Sequence, residues 1–238
     1  MGCLLRWVTV TSGLAVLSPI AGAQEAAEGF ASGDILRTIV LLGALTILPA
    51  LFMSMTAFIR IAVVLAMIRH AFGMPETPPN PILVMLSLFL TFFVMTPTFD
   101  AVRTTAFTPY VENEMTLEEA VSVGQVPMKE FMLSQVQDKD LLLMYELSGR
   151  PAPASPEDVD LFLLVPAFIL NELRVAFTIG FVIMLPFLLI DLIISSILLS
   201  LGMMMVPPAT ISLPIKILVF VMIDGWALII RGVLGGFG

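Results

Sequence analysis

The chain has 238 residues, 58% of them hydrophobic and 13% charged, with a formal net charge of −8 and a mean hydropathy of +1.03. Globular domains carry about 25% charged residues, so this composition excludes an ordinary soluble fold and describes an integral membrane protein. The acidic excess sits in one place: residues 100–160 hold twelve acids against four bases, a balance equal to that of the whole chain. No basic patch suits nucleic acid.

The first element predicted is a cleavable signal over residues 1–23. Arg6 precedes an apolar run from Trp7 to Leu17, and Ala21-Gly22-Ala23 forms a small-residue cleavage site before Gln24. Cleavage would remove Cys3, the only cysteine, and place the mature N-terminus outside the cytoplasm. The alternative is an uncleaved anchor, for which the run is short.

Residues 24–99 read as a hydrophobic helical hairpin. The run Ile35–Ile68 is too long for one span, is broken at Pro49 and carries Arg60. Gly73-Met74-Pro75 and Pro78-Pro79-Asn80-Pro81 make the connecting loop. Ile82–Thr98 returns as a span of seventeen uncharged residues that Pro97 should end. Residues 100–160 form an acidic, extracytoplasmic helical insertion. Thr116-Leu117-Glu118-Glu119 is a capping box, Gly124 should stop that helix, Pro127 should start another, and Gly149 should end a third over Asp140–Leu147. The insertion is either a solvated surface or a contact for neighbouring subunits.

Residues 161–238 hold the C-terminal hydrophobic helices. Ser155-Pro156-Glu157-Asp158 is read as their start signal. The run Leu161–Leu201 would extend roughly 60 Å as a helix, against a bilayer core of about 30 Å. It must fold back, tilt or leave the membrane, with Pro186 as the expected bend. A last run covers Ile211–Val233. The fold expected is all-α: kinked membrane helices and helical hairpins.

Ionisable residues lie within these last two runs, Glu172, Arg174, Asp191, Lys216 and Asp224 among them. Each is costly in lipid unless paired or hydrated, and so marks either a structural pair or a polar conduit. Glu172 and Lys216 carry opposite charges on either side of the intervening break and are expected to pair between neighbouring subunits. Asp191 and Asp224 could share a proton as catalytic aspartates, but LLIDLII and MIDGWAL lack the glycine context of intramembrane aspartyl proteases. There is no metal-ligand spacing and no nucleotide-binding loop, so neither catalysis nor a cofactor or metal is expected.

Between the runs stands LGMMMVPPATISLPIK. Met203, Met204 and Met205 cannot share one helical face, since successive residues lie about 100° apart. Gly202, Pro207 and Pro208 break the helix there. The segment is either a helix end with methionine as filler or a flexible lining at a constriction.

The run Pro166–Trp226, containing MMMVPP, ISLP and DGW, closely resembles the FliP family of flagellar export-gate proteins. The likeness extends through Pro78–Pro97 and Val126–Met144. It implies a non-catalytic, pore-forming subunit of the flagellar type III secretion gate. Several copies would assemble with FliQ and FliR around a central pore, partly raised above the inner membrane toward the periplasm within the flagellar basal body. It also implies that Met203–Met205 form the constriction through which unfolded export substrates pass, with lipid as the surrounding medium. A virulence injectisome subunit and an ion-coupled carrier using Asp191, Asp224 and Glu172 are the rival readings.

Overall fold

A computed structural model describes residues 32–74 and 77–237. The signal and its cleavage residues Ala21, Ala23 and Gln24 lie outside the described residues. Every regular element described is helical. The described residues fall into two units, 32–50 and 51–237. Among the described residues three helices are long and apolar enough to cross a membrane by length and composition, or up to four spans if one bent pair is counted.

Helix α1, Ser32–Ser54, begins in the first unit and continues past Pro49. The apolar side chains of Ile39, Val40, Leu41, Leu42, Leu45, Ile47 and Leu48 are exposed, as a helix solvated by lipid requires. The expected break comes later, at Met55-Thr56-Ala57, where the Thr56 hydroxyl donates to the Met53 carbonyl at 2.9 Å.

In the second unit α2 (Phe58–Ala71) is the central element, with Ile61, Val64, Leu65 and Ile68 buried. It packs on α3, Asn80–Val102, and on α7, Leu161–Ser200. The buried positions of α3 are Leu83, Ser87, Thr91 and Met95, one per turn. Ser87 and Thr91 turn their hydroxyls back onto their own helix, to the Leu83 and Ser87 carbonyls at 2.7 Å each, leaving a slim polar-free stripe. Gly180 of α7 makes room for a neighbour: a Cβ there would lie 2.5 Å from the Met67 sulfur, so the Met67 side chain occupies the space that the glycine leaves between α7 and α2.

Pro97 does not end α3. The helix continues past it to Val102, widens into a π turn over Arg103–Phe107 and closes with α4, Thr108–Val111. The hydroxyls of Thr104 and Thr105 serve the Ala101 carbonyl at 3.0 and 2.8 Å, and Thr104 also serves that of Asp100 at 2.9 Å, so the widened turn keeps its acceptors occupied.

The insertion holds α5 (Leu117–Gln135) and α6 (Asp138–Ser148). The capping box at Thr116 and Glu119 is formed as read. Gly124 and Pro127, however, both lie inside α5. A Cβ at Gly124 would stand 3.2 Å from the Ala106 Cβ, so this glycine serves close packing against the π turn rather than termination. Gly149 ends α6 in the left-handed region at φ 68°, with the Arg150 amide reaching back to the Tyr145 carbonyl at 3.2 Å.

Ser155-Pro156 opens only a 3-10 turn, Pro156–Asp158. The long helix α7 is capped instead by Asp160, whose carboxylate accepts the Phe162 amide at 2.9 Å. It then runs forty residues through both Pro166 and Pro186. Of the outcomes open to so long a run, folding back at Pro186 is not the one adopted. Helices α8 (Ala209–Met222) and α9 (Gly225–Leu234) follow, and the pair ending in the Gly235–Phe237 turn is bent by 68°. Asp224 makes that bend at φ 50°, and the Phe220 ring lies where a Cβ on Gly225 would stand.

Candidate functional site

The intramembrane charges are resolved into separate clusters. Arg60 is 1% exposed and Glu172 wholly buried. The Arg60 Nε donates to Glu172 Oε2 at 2.9 Å, and its Nη2 pairs with Oε1 of the same carboxylate. Nη2 also donates to Gln135 Oε1 at 3.1 Å and Nη1 to the Gly236 carbonyl at 2.8 Å. The Phe237 ring centroid lies 3.7 Å from the guanidinium carbon. A planar fork of donors can satisfy all these partners at once; an ammonium could not. Gln135 ends α5, and its own carbonyl, orphaned by the helix end, accepts Asn171 Nδ2 at 2.7 Å.

The second cluster joins α7 to the insertion. Arg174 donates from both Nη atoms to the buried Asp140 of α6, at 2.5 and 2.7 Å. The third lies beside the methionine segment. Lys216 Nζ donates to Asp191 at 2.6 Å and to the Ala71 carbonyl, at the end of α2, at 3.0 Å. Its nitrogen is buried, while the Asp191 side chain is 40% exposed at a cavity of ≈ 180 Å³ also lined by Pro208 and Ser212. Asp224 is exposed and makes no ion pair among the described residues.

Within the chain Glu172 and Lys216 do not meet; their expected pairing is one between neighbouring subunits. Each has an opposite charge within the chain, and Glu172 is enclosed so completely that a neighbour's lysine would have to displace Arg60. Three partners went unread in sequence. Arg60 carried a signal, a lone arginine within an apolar helix. Asp140 and Gln135 carried none, since an acid or amide in an acidic insertion is ordinary until its distant partner is known.

The methionines lie outside any helix. Gly202 adopts φ 73°; its amide donates to the Leu199 carbonyl at 3.1 Å and that of Met203 to Leu198 at 3.0 Å, closing the end of α7. Pro207 and Pro208 then lead into α8, where a missing donor costs nothing. Between these two stops Met203 is 43% exposed, Met204 82% and Met205 97%. The segment thus projects three unbranched apolar side chains away from its own subunit.

Comparison with known proteins places this arrangement in context. Residues 41–233 match the FliP family. The chain is 47% identical over 201 residues to flagellar biosynthetic protein FliP of Pectobacterium carotovorum, covering 84% of this chain and 78% of that protein. It is 44% identical over 201 residues to the Bacillus subtilis FliP, covering 84% and 91% respectively. An alignment of 244 residues with the Rhizobium meliloti FliP gives 40% identity and covers 98% and 100%.

Proposed function

The chain belongs to the FliP family and is a membrane component of the flagellar export apparatus, and from that premise we propose that it is a pore-forming subunit of the export gate. In this reading several copies surround a channel together with FliQ and FliR, and unfolded flagellar proteins pass a constriction lined by Met203, Met204 and Met205. The subunit performs no chemistry of its own. It binds no nucleotide, so energy comes from other parts of the apparatus.

The observation that carries the reading is the exposure of Met204 and Met205 on a turn bounded by Gly202 and by Pro207-Pro208. Single apolar residues exposed on a surface are ordinary, but three on one non-helical turn require an apolar or transient partner. Thioether chains repack around different passing side chains, which suits a seal that must open to many sequences. The length of α7, roughly 60 Å, also supports a complex raised toward the periplasm, where neighbouring subunits rather than lipid cover part of the helix. The exposed apolar faces of α3 and α7 supply surfaces for those neighbours. A place in the inner membrane at the flagellar basal body follows from the same reading.

The test is the mass and symmetry of the complex purified with FliQ and FliR. A gate subunit gives a closed assembly of several copies and is inert alone. An ion-coupled carrier would work as a small unit without those partners, and that outcome would refute the proposal.

A further inference from the structure

The bent pair α8–α9 packs on the body of the protein through Ser212, Lys216 and Phe220 of α8, all buried, and ends in the Gly235–Phe237 turn. Two kinds of contact seat its far end. Ile229 and Val233, one turn apart on α9, are each 1% exposed in the core. Beyond them, the Gly236 carbonyl accepts Arg60 Nη1 at 2.8 Å, and the Phe237 ring covers the same guanidinium. Phe237 also stacks on Phe131 of α5 at 6.4 Å between centroids, with the planes 21° apart. Gly236 is suited to this approach: a Cβ there would stand 3.1 Å from Nη1.

We propose that Gly235–Phe237 is a latch and Arg60 its catch. Glu172 holds the guanidinium in one orientation with Nε and Nη2, which leaves Nη1 and the ring face to receive the turn. The pair α8–α9 has a bend at Asp224 and a non-helical connection to α7 at its other end. Release of the latch therefore leaves α9 held by its Ile229 and Val233 core contacts alone, free to loosen about the bend while α2 and α7 remain packed on each other. The inference stands whether or not the methionines line a constriction, because it concerns only how the bent pair is seated.

Hydrogen exchange on the full chain in lipid nanodiscs tests it, comparing amides of 225–234 with those of 161–200. For Phe237→Ala, exchange over 225–234 should rise about tenfold, the scale of one desolvated cation–π contact, with 161–200 unchanged. Phe237→Tyr keeps the ring and should exchange as the parent does. Arg60→Lys keeps the charge facing Glu172 but loses the fork, so it should reproduce the rise over 225–234, and adding Phe237→Ala should raise it little further. Should Arg60→Lys fail to fold, Gly236→Ala is the second variant, expected to loosen the same amides. Unchanged exchange over 225–234 in Phe237→Ala would overturn the latch. So would an equal rise over 161–200, which would make Phe237 a general core residue.

Discussion

Arg60 and Met205 sit at opposite extremes of the same molecule, the first 1% exposed and the second 97%. Each is out of place for its type, since an arginine belongs in water and a methionine in a core. Around Arg60 the chain supplies every partner itself: a carboxylate, an amide, a backbone carbonyl and an aromatic face. Around Met205, 97% exposed, the described residues supply almost no cover. The difference separates what this subunit needs to fold from what it offers to something else. A buried charge must be satisfied within the fold, whereas an exposed apolar turn costs little until a partner arrives.

The sharpest way to break this comparison is to remove the carboxylate. Glu172→Ala leaves Arg60 buried without its counterion and should cost about 3–5 kcal/mol, read as a loss of folded yield or of thermal midpoint. Changing both residues to Met should recover part of that, because an apolar pair of similar volume is often tolerated where a half-pair is not. Exchanging charges between Glu172 and Lys216 should restore nothing, since a lysine at 172 would face Arg60. Rescue by that exchange would mean that Glu172 serves a neighbouring subunit instead.

A smaller loss is expected at the cluster beside the methionines. Lys216→Met abandons the Ala71 carbonyl and the Asp191 carboxylate, but Asp191 is 40% exposed and can turn to water. The cost should be about 1–3 kcal/mol in chemical or thermal unfolding. A loss matching that of Glu172→Ala would show the two clusters to be equally sealed. Gly202→Ala comes next, at about 1–2 kcal/mol, because φ 73° strains any residue with a Cβ.

The smallest effect concerns acid. The Phe162 amide, then Arg150, hold the Asp160 carboxyl below its ordinary range at the start of α7. A lowered folded pKa contributes stability that is present above the ordinary carboxylate pKa and disappears as pH falls through the lowered value. Asp160→Asn should therefore lower stability slightly at neutral pH and flatten the acid side of the profile, the difference from the parent vanishing at low pH. An unaltered acid limb would show that this cap contributes nothing measurable.

Local signals in the sequence translated directly into structure. The Thr116–Glu119 box and the left-handed Gly149 depend only on residues within one turn. The break at Gly202, Pro207 and Pro208 was legible for the same reason. Proline was a poorer guide: Pro49, Pro97 and Pro186 all lie inside helices. Surrounding turns and neighbouring hydroxyls can absorb a missing donor in an apolar helix, so proline marks a weak point without fixing an end. Gly124 misled because closeness to Ala106 and a helix stop call for the same residue. The charge clusters were visible as anomalies but not as pairs, since Arg60 and Glu172 are 112 positions apart.

The central claim is that Met203–Met205 are left exposed for a purpose outside the subunit. Conductance or small-solute permeability of cells carrying the triple Ala variant tests it most directly, with assembly and thermal stability followed in parallel. Exposed substitutions usually change stability by less than about 0.5 kcal/mol, so the variant should fold and assemble as the parent does. It should also leak, while a triple Leu variant of similar bulk leaks less. Core methionines would behave otherwise, each truncation costing about 2–5 kcal/mol through the cavity it opens. A stable, leaking triple Ala complex is the predicted result; an unstable complex that stays tight would contradict the account.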